Sequence, residues 1–103
     1  MTFENALRRL AEREPEKYKC FIWAMLGEGG EESNRRFTQD DIDEILAPIG
    51  WEYELHHYPA EEWGFWIWKI KNDYGDGIDG EIYISKLEAA KAALVAVVER
   101  VYP

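Results

Sequence analysis

The sequence predicts an α+β fold in which three N-terminal helices precede a three-stranded antiparallel meander, and a C-terminal helix packs on the sheet (αααβββα). Two observations lead to this prediction. Apolar residues recur at helical spacing near both ends of the chain, and they alternate at every second position between those ends. Short turn-forming segments separate the alternating runs, so each strand is expected to pair with its sequence neighbour. A length of 103 residues predicts one domain, residues 1–103.

A proline separates the first two predicted helices. Thr2 can cap the first, because apolar residues follow it at helical spacing over residues 3–11. Pro15 ends that helix and suits the first turn of a second one. Gly27 is expected to end the second helix, and residues 27–36 lack periodicity and are expected to form a loop.

A third, acidic helix begins after a strong capping signal. Thr38 is a good N-cap, and Asp41 stands three residues later, as in an acidic variant of the capping box. Early acidic residues also interact favourably with the positive end of the helix dipole. Pro48 and Gly50 are expected to end this helix.

Three strands are predicted over residues 51–58, 63–71 and 81–85. In the first strand Trp51, Tyr53 and Leu55 share one face, while Glu52, Glu54 and His56 share the other. Two Asp-Gly pairs, at 76–77 and 79–80, are typical of hairpin turns and are expected to lie between the second and third strands.

The last helix is expected to begin at a capping box formed by Ser85 and Glu88. Together with the three preceding strands, its first residues, SKLEAAKAAL, resemble the end of a double-stranded-RNA-binding domain, a family with α-β-β-β-α order. The resemblance covers about half of the chain. Members of that family have further lysines beside the first, whereas Leu87 and Glu88 follow Lys86 here. The resemblance therefore implies a shared topology and does not imply RNA binding.

The second strand is apolar on both faces, which is expected when both faces of a sheet are covered. The C-terminal helix is expected to cover one face, and the N-terminal helix pair or a partner protein the other. In the alternative interpretation Trp63, Tyr58 and Trp51 stay at the surface as a binding patch. The two predicted faces of the second strand comprise Trp66, Trp68 and Ile70 on one side and Trp63, Phe65 and Ile67 on the other.

The net charge of −9 is concentrated in residues 28–62, which contain eleven acidic residues and only two basic ones. This distribution disfavours nucleic acid as a direct partner and favours a protein with a basic surface. The alternative is that the charge serves solubility alone. The expected partner-binding residues are Glu31, Glu32, Asp40, Asp43, Glu44, Glu52, Glu54, Glu61, Glu62 and Trp63.

The sequence predicts neither an enzyme nor a cofactor. It has no GxSxG, P-loop or GxGxxG motif. The chain has four serine and threonine residues, and three of them, Thr2, Thr38 and Ser85, are expected to serve as helix caps. No catalytic residue is therefore assigned.

No metal site is predicted either. A calcium loop starting at Asp73 would have glycines at its third and fifth positions, where side-chain oxygens are required. Glu52, Glu54 and His56 share a strand face, but alternate strand residues lie roughly 6.5–7 Å apart and rarely converge on one ion.

The expected location is the cytoplasm, without a membrane segment. The N-terminus is charged where a signal peptide needs an apolar stretch, and Cys20 is the single cysteine, which agrees with a reducing compartment. The leading hypothesis is a non-enzymatic, acidic protein-binding module, monomeric or homodimeric. More narrowly, it would be an inhibitor of a nucleic-acid-binding surface, comparable in size and charge to nucleic-acid mimics and anti-CRISPR proteins. The alternatives are a small-ligand or metal-binding protein that uses the Trp/His/Glu strand region, and a structural subunit of an oligomer.

Overall fold

The structure is a computed structural model of the chain. Asp79 and Glu81 are described by their backbone alone. The predicted loop over residues 27–36, the calcium-loop residue Asp73 and Cys20 lie outside the described residues. The described residues are 1–18, 22, 38–59, 64–72, 77–83 and 85–103.

Helices and an antiparallel sheet follow the predicted order, and the predicted α+β class is confirmed. The sheet has the order β1-β2-β3, with both neighbouring pairs antiparallel. Residues 15–18 and 22 are also helical. The elements are the N-terminal helix Phe3–Arg13, the acidic helix Gln39–Leu46, a 3₁₀ helix Ala47–Ile49, β1 Trp51–Pro59, β2 Gly64–Asn72, β3 Gly77–Tyr83 and the C-terminal helix Lys86–Val101.

The helix starts form as their local sequences predict. Thr2 Oγ1 accepts a hydrogen bond from the Asn5 amide at 3.1 Å. At the acidic helix the capping box is complete: the Asp41 amide donates to Thr38 Oγ1 at 3.3 Å, and the Asp41 carboxylate accepts from the Thr38 amide at 2.9 Å. At the C-terminal helix Ser85 Oγ accepts from the Glu88 amide at 3.4 Å, which is the serine half of the predicted box.

The C-terminal helix is the centre of the core. It packs against all three strands on one face of the sheet, and the N-terminal helix and the acidic helix pack against it. The N-terminal helix therefore does not provide the predicted cover for the second face of the sheet. The largest fully buried side chains are Leu7, Leu10, Ile22, Ile42, Ile45, Leu46, Ile70, Leu94 and Val97.

Tyr18 links the second helical segment to the acidic helix. Its hydroxyl donates to the Ile45 carbonyl at 2.8 Å, and its side chain is buried. Burial, followed by the proximity of Tyr102 and Glu14, raises the pKa of Tyr18 to about 12. The hydroxyl therefore remains a neutral donor at ordinary pH.

The inner face of the sheet, which contacts the C-terminal helix, contains Trp68, Ile70 and Trp51. Trp51 is 8% exposed, so the interpretation that placed it in a surface patch is wrong. Strand alternation puts Trp51 on the face that the helix covers, and burying its indole removes a large apolar area from water.

β3 begins at Gly77, four residues before the predicted start at Glu81. The pair Asp79-Gly80 therefore lies inside a strand and does not form a turn. A Cβ atom at Gly80 would coincide with the indole ring of Trp68, so the glycine provides space for this buried ring. The ladder between β2 and β3 shifts register at this point, between Ile67 and Lys69.

Among the described residues, every helix is too short or too polar to traverse a bilayer.

Candidate partner-binding site

The structure brings the acidic helix alongside β1. After the 3₁₀ helix, Gly50 adopts a left-handed conformation with φ of 83°, which favours glycine and turns the chain into β1. The acidic helix and the start of β1 then flank a groove of about 500 Å³, called here the acidic groove. It is lined by Asp43, Leu46, Ala47, Gly50, Trp51, Glu52 and Tyr53.

The acidic helix is held firmly while its carboxylates face solvent. Ile42, Ile45 and Leu46 are buried in the core. Asp40, Asp43 and Glu44 are exposed. Within the described part of the chain, these three carboxylates form no ion pair with a lysine or arginine. No described ion pair therefore neutralises these carboxylates, and they are carried by a helix whose other side is packed in the core. Asp40, Asp43 and Glu44 are the three predicted partner-binding residues that lie on this helix.

Tyr53 forms the floor of the acidic groove. Its hydroxyl is buried, and the side chains of Asp43 and Gln39 lie near it. Burial first, and then the nearby carboxylates of Asp43 and Asp40, raise the pKa of Tyr53 well above its usual range. The hydroxyl therefore stays protonated, and the charge of the groove comes from Asp43 and Glu52.

Trp51 forms an apolar wall of the groove. The guanidinium of Arg100, on the C-terminal helix, lies 6.0 Å from the centre of its indole ring. This distance is within the range of a cation–π contact. Arg100 is exposed, and it is a base close to an otherwise acidic region.

The outer face of the sheet carries a charged cluster near the groove. Lys71 Nζ donates to the Glu54 carboxylate at 2.8 Å, and it lies 3.9 Å from the Glu52 carboxylate. His56 Nε2 lies 3.2 Å from Glu54. The hydrogen bond from Lys71 first, and then that with His56, lower the pKa of Glu54. The negative charge of Glu54 is therefore balanced mainly by Lys71 at 2.8 Å, whereas Glu52 lies 3.9 Å from the same lysine.

The described residues contain no group of three or more His, Cys, Asp or Glu side chains arranged to hold a metal ion. The outer-face trio Glu52, Glu54 and His56 interacts instead with Lys71, as described above.

The far end of the outer face is apolar. Tyr58 and Phe65 stack with ring centroids 5.5 Å apart. Tyr58 is 46% exposed and Ile82 is 61% exposed. Tyr58 thus lies at the surface, as the patch hypothesis predicts. The structural-subunit hypothesis, which needs an uncovered apolar surface, remains a prediction.

The predicted partner-binding residues fall into three groups. Asp43 and Glu52 line the acidic groove, with Asp40 and Glu44 on the same helix as Asp43, and Glu54 lies on the outer face. Glu44 lines a separate cleft beside Lys17 and Tyr18. Sequence reasoning did not assign Tyr53 or Trp51 to this site. The alternation of β1 placed both on one face, but it carried no signal that the face adjoins the acidic helix. Five predicted residues lie outside the described part of the chain: Glu31, Glu32, Glu61, Glu62 and Trp63.

Comparisons with protein-family models, with curated proteins and with solved structures find no match. A fold of this class hosts many functions, so the fold does not supply one. The chemistry of the acidic groove and its surroundings is the basis of the proposal below.

Proposed function

We propose that this protein is a non-enzymatic protein-binding module whose acidic helix and acidic groove dock on a basic surface of a partner protein. The observation that carries the proposal is the convergence of Asp43 and Glu52 on one groove, from a helix and a strand respectively. Asp40 and Glu44 extend the same charge along the exposed side of the helix.

The support is electrostatic and geometric. Exposed carboxylates on a helix that is packed in the core create a field that steers an oppositely charged partner and fixes its orientation. The half-buried ring of Tyr53, which lines the groove, offers apolar contact to the stems of long basic side chains. The groove therefore offers carboxylates and apolar surface together, which suits lysine and arginine.

A narrower form of the proposal is that the module inhibits its partner. A basic protein surface commonly serves to hold nucleic acid, whose phosphates present a dense negative charge. A module with a net charge of −9 that covers such a surface would compete with the nucleic acid. This narrower form rests on charge alone.

The salt dependence of association tests the proposal. The Debye length falls from about 10 Å at about 0.1 M salt to roughly 3 Å at about 1 M. The association rate constant with a partner captured from the native host is expected to fall at least about tenfold over this range, because steering is lost. The dissociation rate constant should change much less and serves as the internal control. An association rate constant that is independent of salt would contradict docking through the acidic groove.

A further inference from the structure

β1 forms one edge of the sheet in the part of the chain that the structure describes. It pairs with β2 on one side, and the order β1-β2-β3 places no described strand on its other side. Its ladder with β2 runs without a register shift from the pair Trp51–Asn72 to the pair Pro59–Gly64. An edge of this kind presents backbone N–H and C=O groups that can pair with an added strand.

The opposite edge of the sheet is less regular. The ladder between β2 and β3 shifts register between Ile67 and Lys69, beside Gly80. Such irregularities bend a strand and interrupt its row of hydrogen-bonding groups. β1 is therefore the edge better suited to pairing over a long stretch.

Carboxylates lie on both sides of the β1 edge. Glu52 projects on the outer face, and its side chain is 74% exposed. Asp43 lines the acidic groove together with Trp51 and Tyr53, whose side chains are on the inner face of the same strand. Lys71 already binds Glu54 at 2.8 Å but lies 3.9 Å from Glu52. Glu52 and Asp43 are therefore the carboxylates best placed to meet cations from outside the chain.

We propose that the β1 edge binds an extended basic segment of the partner as an added strand. This inference rests on the proposed function and specifies the conformation of the partner segment. Alternate side chains of a strand project to opposite faces. Lysine or arginine side chains at every second position would therefore lie beside Glu52 and Glu54. The side chains between them would enter the acidic groove, beside Tyr53 and Asp43.

The probe is a synthetic peptide of alternating lysine and valine, as long as β1 and blocked at both ends. Two further peptides carry N-methyl groups, one on every lysine amide and the other on every valine amide. Both keep the charge of the parent peptide, but each loses the hydrogen-bond donors along one edge. Binding is measured by calorimetry at about 0.05 M salt, where screening is weak, and the contact surface is mapped by amide chemical shifts.

The parent peptide is expected to bind and to shift the β1 amides. One N-methylated peptide should lose at least about tenfold in affinity, because its β1-facing donors are blocked, while the other binds like the parent. Glu52→Gln combined with Asp43→Asn should weaken binding more than the matched pair Glu12→Gln and Glu16→Gln, which are exposed near the N-terminal helix.

The strand proposal and the proposed function can fail separately. Equal binding of both N-methylated peptides would overturn strand addition but leave docking by charge intact. Shifts confined to β3, or no binding of the parent peptide, would also overturn strand addition. The salt dependence of association with the captured partner would then still decide whether the protein docks on a basic surface.

Discussion

Gly80→Ala is expected to lower the free energy of unfolding by about 1–3 kcal/mol. A Cβ atom at this position would coincide with the indole ring of Trp68, so the ring must move. Trp68 is 8% exposed and belongs to the core cluster between the sheet and the C-terminal helix. Trp68 and Gly80 also line an open cleft of about 680 Å³, so the ring can shift toward it, but the shift separates the ring from its neighbours in the close-packed core.

Gly77→Ala is the matched control for this experiment, because Gly77 begins the same strand. Among the described residues, a Cβ atom there would meet the Ile70 carbonyl oxygen alone, at an ordinary contact distance of 3.4 Å. This variant should be neutral or slightly stabilising, since alanine restricts the unfolded chain more than glycine does. Urea denaturation of both variants provides the measurement. Equal midpoints for the two variants would contradict the packing of Trp68 on β3.

Reversing the charges of the acidic helix is expected to weaken partner binding at least about a hundredfold. The variant carries Asp40→Lys, Asp43→Lys and Glu44→Lys. All three side chains are exposed, so their replacement removes the attraction and introduces repulsion without opening the core. Asp41 is left unchanged because it completes the capping box with Thr38.

The matched control carries Glu12→Lys, Glu16→Lys and Glu99→Lys. It changes the net charge equally, but it places the new cations near the N-terminal and C-terminal helices, where the parent carboxylates are exposed. Its affinity for the captured partner should fall by less than about fivefold, since the carboxylates of the acidic helix and the acidic groove are unchanged. Thermal melts of both variants separate lost binding from lost stability. If both variants bind the partner equally well, the acidic helix contributes to binding only through the net charge of the protein.

Local signals in the sequence were sufficient to predict the helix starts. The capping interactions of Thr2 and Thr38 involve residues only three positions away, so the sequence contains all the information that they need. The alternation of β1 likewise predicted correctly which side chains share a face.

Predictions that depended on distant contacts were less successful. Asp79-Gly80 has the composition of a turn, but the ring of Trp68 requires a glycine in a strand at that point. The alternation that grouped Trp51 with Tyr53 did not indicate that the C-terminal helix would cover their face. Tertiary packing decided both outcomes, and neither is encoded in the nearest residues.

The acidic groove illustrates the same limit for function. Asp43 and Glu52 were both predicted to bind a partner, because they lie in the acidic third of the chain. Their convergence on one groove depends on the 3₁₀ helix and on the left-handed Gly50, which direct β1 past the acidic helix. The sequence indicated a break at Pro48 and Gly50 but not the direction in which the chain continues.

Zero-length cross-linking of the complex with the captured partner tests the central claim most directly. A carbodiimide joins a carboxylate to a lysine amine when the two groups are in contact, so the products identify which carboxylates meet the partner. Docking through the acidic helix and the acidic groove predicts cross-links from Asp43 and Glu52, which line the groove, and from Asp40 and Glu44, which are exposed on the helix. Cross-links confined to carboxylates of the N-terminal and C-terminal helices would contradict this account.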